Sequence, residues 1–154
     1  MGYNSYTKRS ENQDFKPSYN RSFRVRGIVK TFRDLEVYQT TIQLSNILTN
    51  LDFLNYEKEE LKKISESIPR LIAESYGDKF DSMDISEKKL DEAVKLISNI
   101  ITKIDLYRAK FCEIKEQKAI LDRLLMKYGY QKIKILNLKK AWKRVFGKNL
   151  GEEK

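Results

Sequence analysis

Apolar residues recur at helical spacing in four blocks of the chain. In the first, Thr31 and Asp34 have the spacing of a capping box, and Leu35, Tyr38, Ile42, Ile47, Leu48 and Leu51 follow as one apolar stripe. This predicts a helix opening near Thr31 and a loop over 52–56. The second block, 57–75, repeats Leu61, Ile64, Ile68, Leu71 and Ile72 at three- and four-residue intervals. Pro69 falls inside it, which removes one helical hydrogen bond and predicts a bend. A polar stretch, YGDKFDSMD, separates it from the third block. That block opens at Asp84, with Glu87 three residues on, and runs through Leu90, Ala93, Val94, Ile97, Ile100, Ile101, Ile104 and Tyr107 to about residue 111. The fourth carries Ile120, Leu121, Leu124, Leu125 and Tyr128 and then meets Gly129. Beyond it, YQKIKILNL alternates like a strand, while Ile135, Leu138, Trp142 and Val145 keep a helical phase. The balance favours a helix bent or interrupted near Gly129.

Four amphipathic helices with short connections predict an all-α fold, an antiparallel up-down four-helix bundle over 31–146 with a basic C-terminal helical extension. Isoleucines on several sides of the third helix exceed what one bundle hides, which predicts a homo-oligomer. Residues 1–30 mix Ser, Asn, Tyr and Arg without period and are expected to form a flexible basic arm; 147–154 form a tail.

Composition narrows the chemistry. The chain of 154 residues contains no histidine. A Ser/His/Asp triad, a Cys/His dyad and a His-liganded zinc site are therefore excluded. A single cysteine, Cys112, cannot form an internal disulfide or a thiolate metal site. Neighbouring carboxylates such as Glu59 and Glu60, or Asp91 and Glu92, point in different directions on a helix, and the six glycines are too scattered for a phosphate loop. These features predict a non-enzyme with no cofactor and no metal. No run of about 18 apolar residues is present to span a bilayer, and no secretory signal opens the chain, so a cytoplasmic setting is expected.

Charge is unevenly placed. The formal net charge is +9, with +5 in residues 1–30, −3 in 31–126 and +7 in 127–154. Basic ends on a near-neutral body predict contact with a polyanion; the alternative is that the ends aid solubility. Aromatic residues Tyr3, Tyr6, Phe15, Tyr19 and Phe23 lie between the cations of the arm, as in binders of single-stranded nucleic acid. Near the other end, LKKAWKRVFGKNL sets Lys139, Lys140, Lys143, Arg144 and Lys148 around Trp142 and Phe146. Three readings stand for this segment. Trp142 closes the end of the bundle, with cations on the wet face; the cations bind nucleic acid; or the apolar face lies in a membrane headgroup region. The first two are compatible.

The stretch TFRDLEVYQ, with Phe32, Asp34, Leu35 and Tyr38, resembles the opening of a bacterial four-helix-bundle family that includes the 23S rRNA intervening-sequence proteins. In the second helix, ESIPRLIAESYGDKF is similar to the same family's Ser-Ile-Pro followed by Ile-Ala-Glu-Gly, through Ser67, Ile68, Pro69, Ile72, Ala73 and Glu74. The resemblance covers about residues 31–112. Ser75 replaces the usual Gly, and KKLDEAVKLISNII replaces the Ala-x-Gly-Ser-Leu run of those proteins. Glu92, Ala93 and the long helical tail look more like the accessory variability determinant proteins of diversity-generating retroelements. That branch implies small basic bundles forming homopentameric barrels, associated with a reverse transcriptase and its template RNA, and implies no catalytic residues.

The expected function is thus a non-enzymatic accessory protein that binds structured RNA, or an RNA and cDNA intermediate, together with a reverse transcriptase and copies of itself, without a membrane. Alternatives are an intervening-sequence-type protein and an oligomeric protein-interaction scaffold. Expected phosphate contacts are Arg24, Arg26, Lys132, Lys134, Lys139, Lys140, Lys143 and Arg144, with Lys62, Lys63 and Arg70 on the second helix.

Overall fold

A computed structural model describes residues 29–147. Arg24, Arg26, the aromatic residues of the arm and Lys148 lie outside these residues. The described chain is all-helical: α1 (Glu36–Thr49), α2 (Glu57–Asp78), α3 (Met83–Phe111) and α4 (Lys115–Trp142), the last continuing into a wider π turn, Lys143–Gly147. Among the described residues there is no strand.

The capping box forms, but it caps a short 3-10 turn, Phe32–Asp34, instead of α1. Thr31 Oγ1 accepts from the Arg33 amide at 3.1 Å, and the Thr31 amide donates to Asp34 Oδ2 at 3.2 Å. Leu35 is extended, and α1 starts after it. The buried face of α1 consists of Val37, Thr41, Leu44, Ser45 and Leu48, whereas Ile47 is 40% exposed. Of the expected stripe, Leu35 and Leu48 are buried and Tyr38 and Leu51 pack against the core, while Ile47 falls outside that face. Small hydroxyl residues complete the face: Thr41 donates to the Val37 carbonyl of its own helix at 2.7 Å, and Ser45 Oγ lies 2.8 Å from Ser65 Oγ of α2. Each of these small buried hydroxyls thus has a hydrogen-bond partner.

Glu57, Glu59 and Glu60 face the positive end of the α2 dipole. The helix carries Pro69 inside it and extends past Ser75 to Asp78. Ser82 then caps α3 by accepting from the Ile85 amide at 3.3 Å. Within α3, Leu90, Ala93, Ile97, Ile100 and Ile104 have no exposed surface, so most of its isoleucines are spent on the core. Exposed apolar residues sit near its ends, at Ile85, Leu106 and Phe111.

No interruption occurs at Gly129, contrary to the expectation from its sequence. Leu121, Leu124, Tyr128, Gln131, Ile135 and Trp142 form a single buried stripe across it. The alternation in YQKIKILNL is incidental: Ile135 is buried and Ile133 is 56% exposed, as a helix requires. The helices pack in a closed ring, α1 on α2, α2 on α3, α3 on α4 and α4 on α1. One core fills it, and Leu48, Leu54, Ile68, Ile72 and Leu121 are fully buried there.

Candidate nucleic-acid interface

The terminal segment closes one end of the bundle. Trp142 is buried, and its ring centroid lies 6.1 Å from that of Tyr76 near the end of α2. Phe146 meets Phe80 edge-on at 5.5 Å. Between these rings stands Lys79, which is 6% exposed. Its Nζ is 3.6 Å and 3.5 Å from the Tyr76 and Phe80 centroids, and 5.2 Å and 5.0 Å from those of Trp142 and Phe146. The Tyr76 carbonyl accepts a hydrogen bond from this ammonium at 3.1 Å. Loss of hydration lowers the Lys79 pKa to about 8. Trp142 thus packs as the bundle-closing reading expects.

The cations around it divide into two sets. Lys139 Nζ is bonded to Asp91 Oδ1 at 2.8 Å and lies 3.6 Å from Glu87 Oε2, and Lys143 Nζ reaches the same Glu87 oxygen at 3.0 Å. Both partners are on α3, so these lysines tie α4 and the π turn to it. The hydrogen bond to Asp91, with the charges of Asp91 and Glu87, raises the Lys139 pKa. Lys134 is likewise held, by Glu36 Oε1 of α1 at 2.6 Å. Lys140 and Arg144 are exposed and Lys132 half-exposed, and among the described residues none of the three has a carboxylate within ion-pair distance.

The second-helix residues are not brought to this site. Lys62, Lys63 and Arg70 lie on α2, which packs on α1 and α3, the same two helices that α4 packs on. Arg70 pairs with Glu74 at 3.2 Å; Lys62 and Lys63 are exposed.

Three residues absent from the expected contacts, Arg123, Lys127 and Tyr130, form a row along α4 with the expected Lys134. Arg123, Lys127, Tyr130 and Lys134 are spaced four, three and four residues apart and so share one face over roughly 16 Å. Tyr130 is 58% exposed, and Lys134 Nζ lies 5.1 Å from its ring centroid. Arg123 and Lys127 rim a groove of about 260 Å³ between α1 and α4, floored by Ile47, Leu51, Ile120 and Leu124. The signal was present in the spacing, but reading a break at Gly129 splits the row in two.

Among the described residues no group of three or more Cys, Asp or Glu side chains is placed to hold a metal ion, and no helix is long and apolar enough to cross a membrane. No protein-family model, curated protein or solved structure matches the chain.

Proposed function

We propose that this chain is a non-enzymatic, basic accessory protein that binds structured RNA, or an RNA and cDNA intermediate, and associates with a reverse transcriptase in a diversity-generating retroelement. The observation that carries the reading is the charge of α4. This helix has eight cations against Glu116 and Asp122, and Lys132 and Lys140, with Arg144 just beyond, keep their charge available outside the bundle. A surface of that kind attracts phosphate through release of counterions.

The same reading takes the bundle as antiparallel and up-down. Its support is the pairing of Arg108, late in α3, with Asp122, early in α4, at 2.7 Å, while Lys139, late in α4, pairs with Asp91, early in α3. Self-association into a pentameric barrel belongs to the proposal too, and a reducing cytoplasm is its setting. Exposed Tyr56, Leu106, Phe111 and Ile114 supply apolar surface for assembly. That surface also favours a second reading, a scaffold that holds a partner enzyme without touching RNA.

The test is affinity for a structured RNA across a salt series, comparing the full chain with the triple variant Lys132→Ala, Lys140→Ala, Arg144→Ala. The wild type is expected to bind with log affinity falling steeply against log salt. The variant should lose as many as three phosphate contacts, flattening the slope by roughly 0.7 to 0.9 for each. Absence of RNA binding by the wild type at low salt would leave the scaffold reading in its place.

A further inference from the structure

Resting on the proposed RNA-binding function, we infer that the Arg123–Lys127–Tyr130–Lys134 face of α4, with the adjoining groove against α1, is a site for single-stranded nucleic acid, distinct from the terminal cations that meet phosphate. Tyr130 presents an exposed aromatic ring in line with three cations on one face of the helix. Tyrosine is a large apolar body, and water does not reward its exposure. A nucleobase does, because it stacks on the ring whatever its identity.

The surroundings fit that ligand. Lys134 is fixed by Glu36 at 2.6 Å and lies over the Tyr130 ring, 5.1 Å from its centroid, so a tethered cation covers one face and a base would stack on the other. One turn before Tyr130 stands Met126, 68% exposed, and about one turn after it Ile133, 56% exposed; both offer apolar contact beside a stacked base. Arg123 and Lys127 are exposed and, among the described residues, have no carboxylate within ion-pair distance. They stand at the rim of the groove, where a backbone phosphate would lie if a neighbouring base entered its apolar floor. A duplex presents its bases stacked and inaccessible, so this face should prefer a single strand. An acidic peptide would use the same cations but would gain little from the ring.

The experiment compares the full-length wild type with Tyr130→Ala and Tyr130→Phe, using fluorescence anisotropy with a labelled oligouridine and, separately, a blunt RNA duplex. Alanine is the strongest helix former and the position is exposed, so the variant keeps the fold, which circular dichroism checks. Tyr130→Ala should weaken oligouridine binding by roughly 5- to 100-fold and duplex binding by less than about two-fold. Tyr130→Phe, which keeps the ring and loses only the hydroxyl, should bind oligouridine like the wild type. Unchanged oligouridine affinity in Tyr130→Ala, or an equal loss on both RNAs, overturns the inference while leaving the RNA-binding function standing. Failure of the wild type to bind either RNA overturns both.

Discussion

Lys79 places an ammonium among four aromatic rings with almost no water around it, and two effects on its charge oppose each other. Burial disfavours the ion, while the faces of Tyr76, Phe80, Trp142 and Phe146 attract it, by about 2 kcal/mol for a desolvated cation over a ring. Burial prevails, bringing the pKa to about 8 from the ordinary 10.5. The sign of the resulting pH dependence follows directly. Below about pH 8 both folded and unfolded chains carry the proton, and the fold bears the full cost of desolvation. Between there and pH 10.5 the folded chain has released a proton that the unfolded chain still holds, so the contribution of Lys79 to stability rises with pH. Denaturant unfolding of wild type and Lys79→Met at pH 7.5 and about pH 10 should show the difference moving in favour of wild type at the higher pH. A difference that does not change with pH would mean the rings hold the ammonium as well as water does. Trp142 is the only tryptophan, so its emission reports on this same cluster.

At the scale of elements, α4 shows both how far the sequence could be read and where reading stopped. The blocks of apolar residues located all four helices, because burying one stripe per helix is what a bundle requires. The inner face of α1 was only partly legible: Leu35 and Leu48 of the expected stripe are buried, but Thr41 and Ser45, whose hydroxyls bond the Val37 carbonyl and Ser65, leave no trace in a count of apolar positions. The continuity of α4 was missed for a different reason. Gly129 lowers helix propensity without ending the helix, and it is the buried positions Tyr128, Gln131 and Ile135 that hold the segment helical. That continuity is what assembles Arg123, Lys127, Tyr130 and Lys134 into one row. Nothing lies within 4 Å of where a Cβ at Gly129 would stand. Gly129→Ala should therefore stabilise the protein by about 0.5 to 1 kcal/mol, measured as a raised urea midpoint at unchanged slope. A destabilised variant would show that the glycine serves a bend or a close approach in solution.

For the whole molecule, the excess positive charge is partly committed to holding the fold together. Lys139 and Lys143 neutralise Asp91 and Glu87 on α3, and Lys134 neutralises Glu36 on α1, so cations that composition offers for phosphate are shared with the bundle's own carboxylates. Replacing Lys139, Lys140, Lys143 and Arg144 together would mix loss of binding with loss of these ties. The acidic partners give a cleaner probe. In Glu87→Gln with Asp91→Asn the shapes are kept, two negative charges are removed, and Lys139 and Lys143 are released. Each exposed or half-exposed pair contributes up to about 1 kcal/mol, so stability should fall only slightly. RNA affinity at low salt should rise, and the slope of log affinity against log salt should steepen by up to about 0.7 to 0.9 for each lysine that reaches a phosphate. Anisotropy titrations of the full chain over a salt series measure both. An unchanged slope would exclude Lys139 and Lys143 from the phosphate site, leaving it to cations that already stand clear of carboxylates, Lys132, Lys140 and Arg144 among them, and would make the α3 pairs purely structural. A steeper slope would show that folding and RNA compete for the same lysines, the basic end being held by α3 when empty and drawn onto phosphate when loaded.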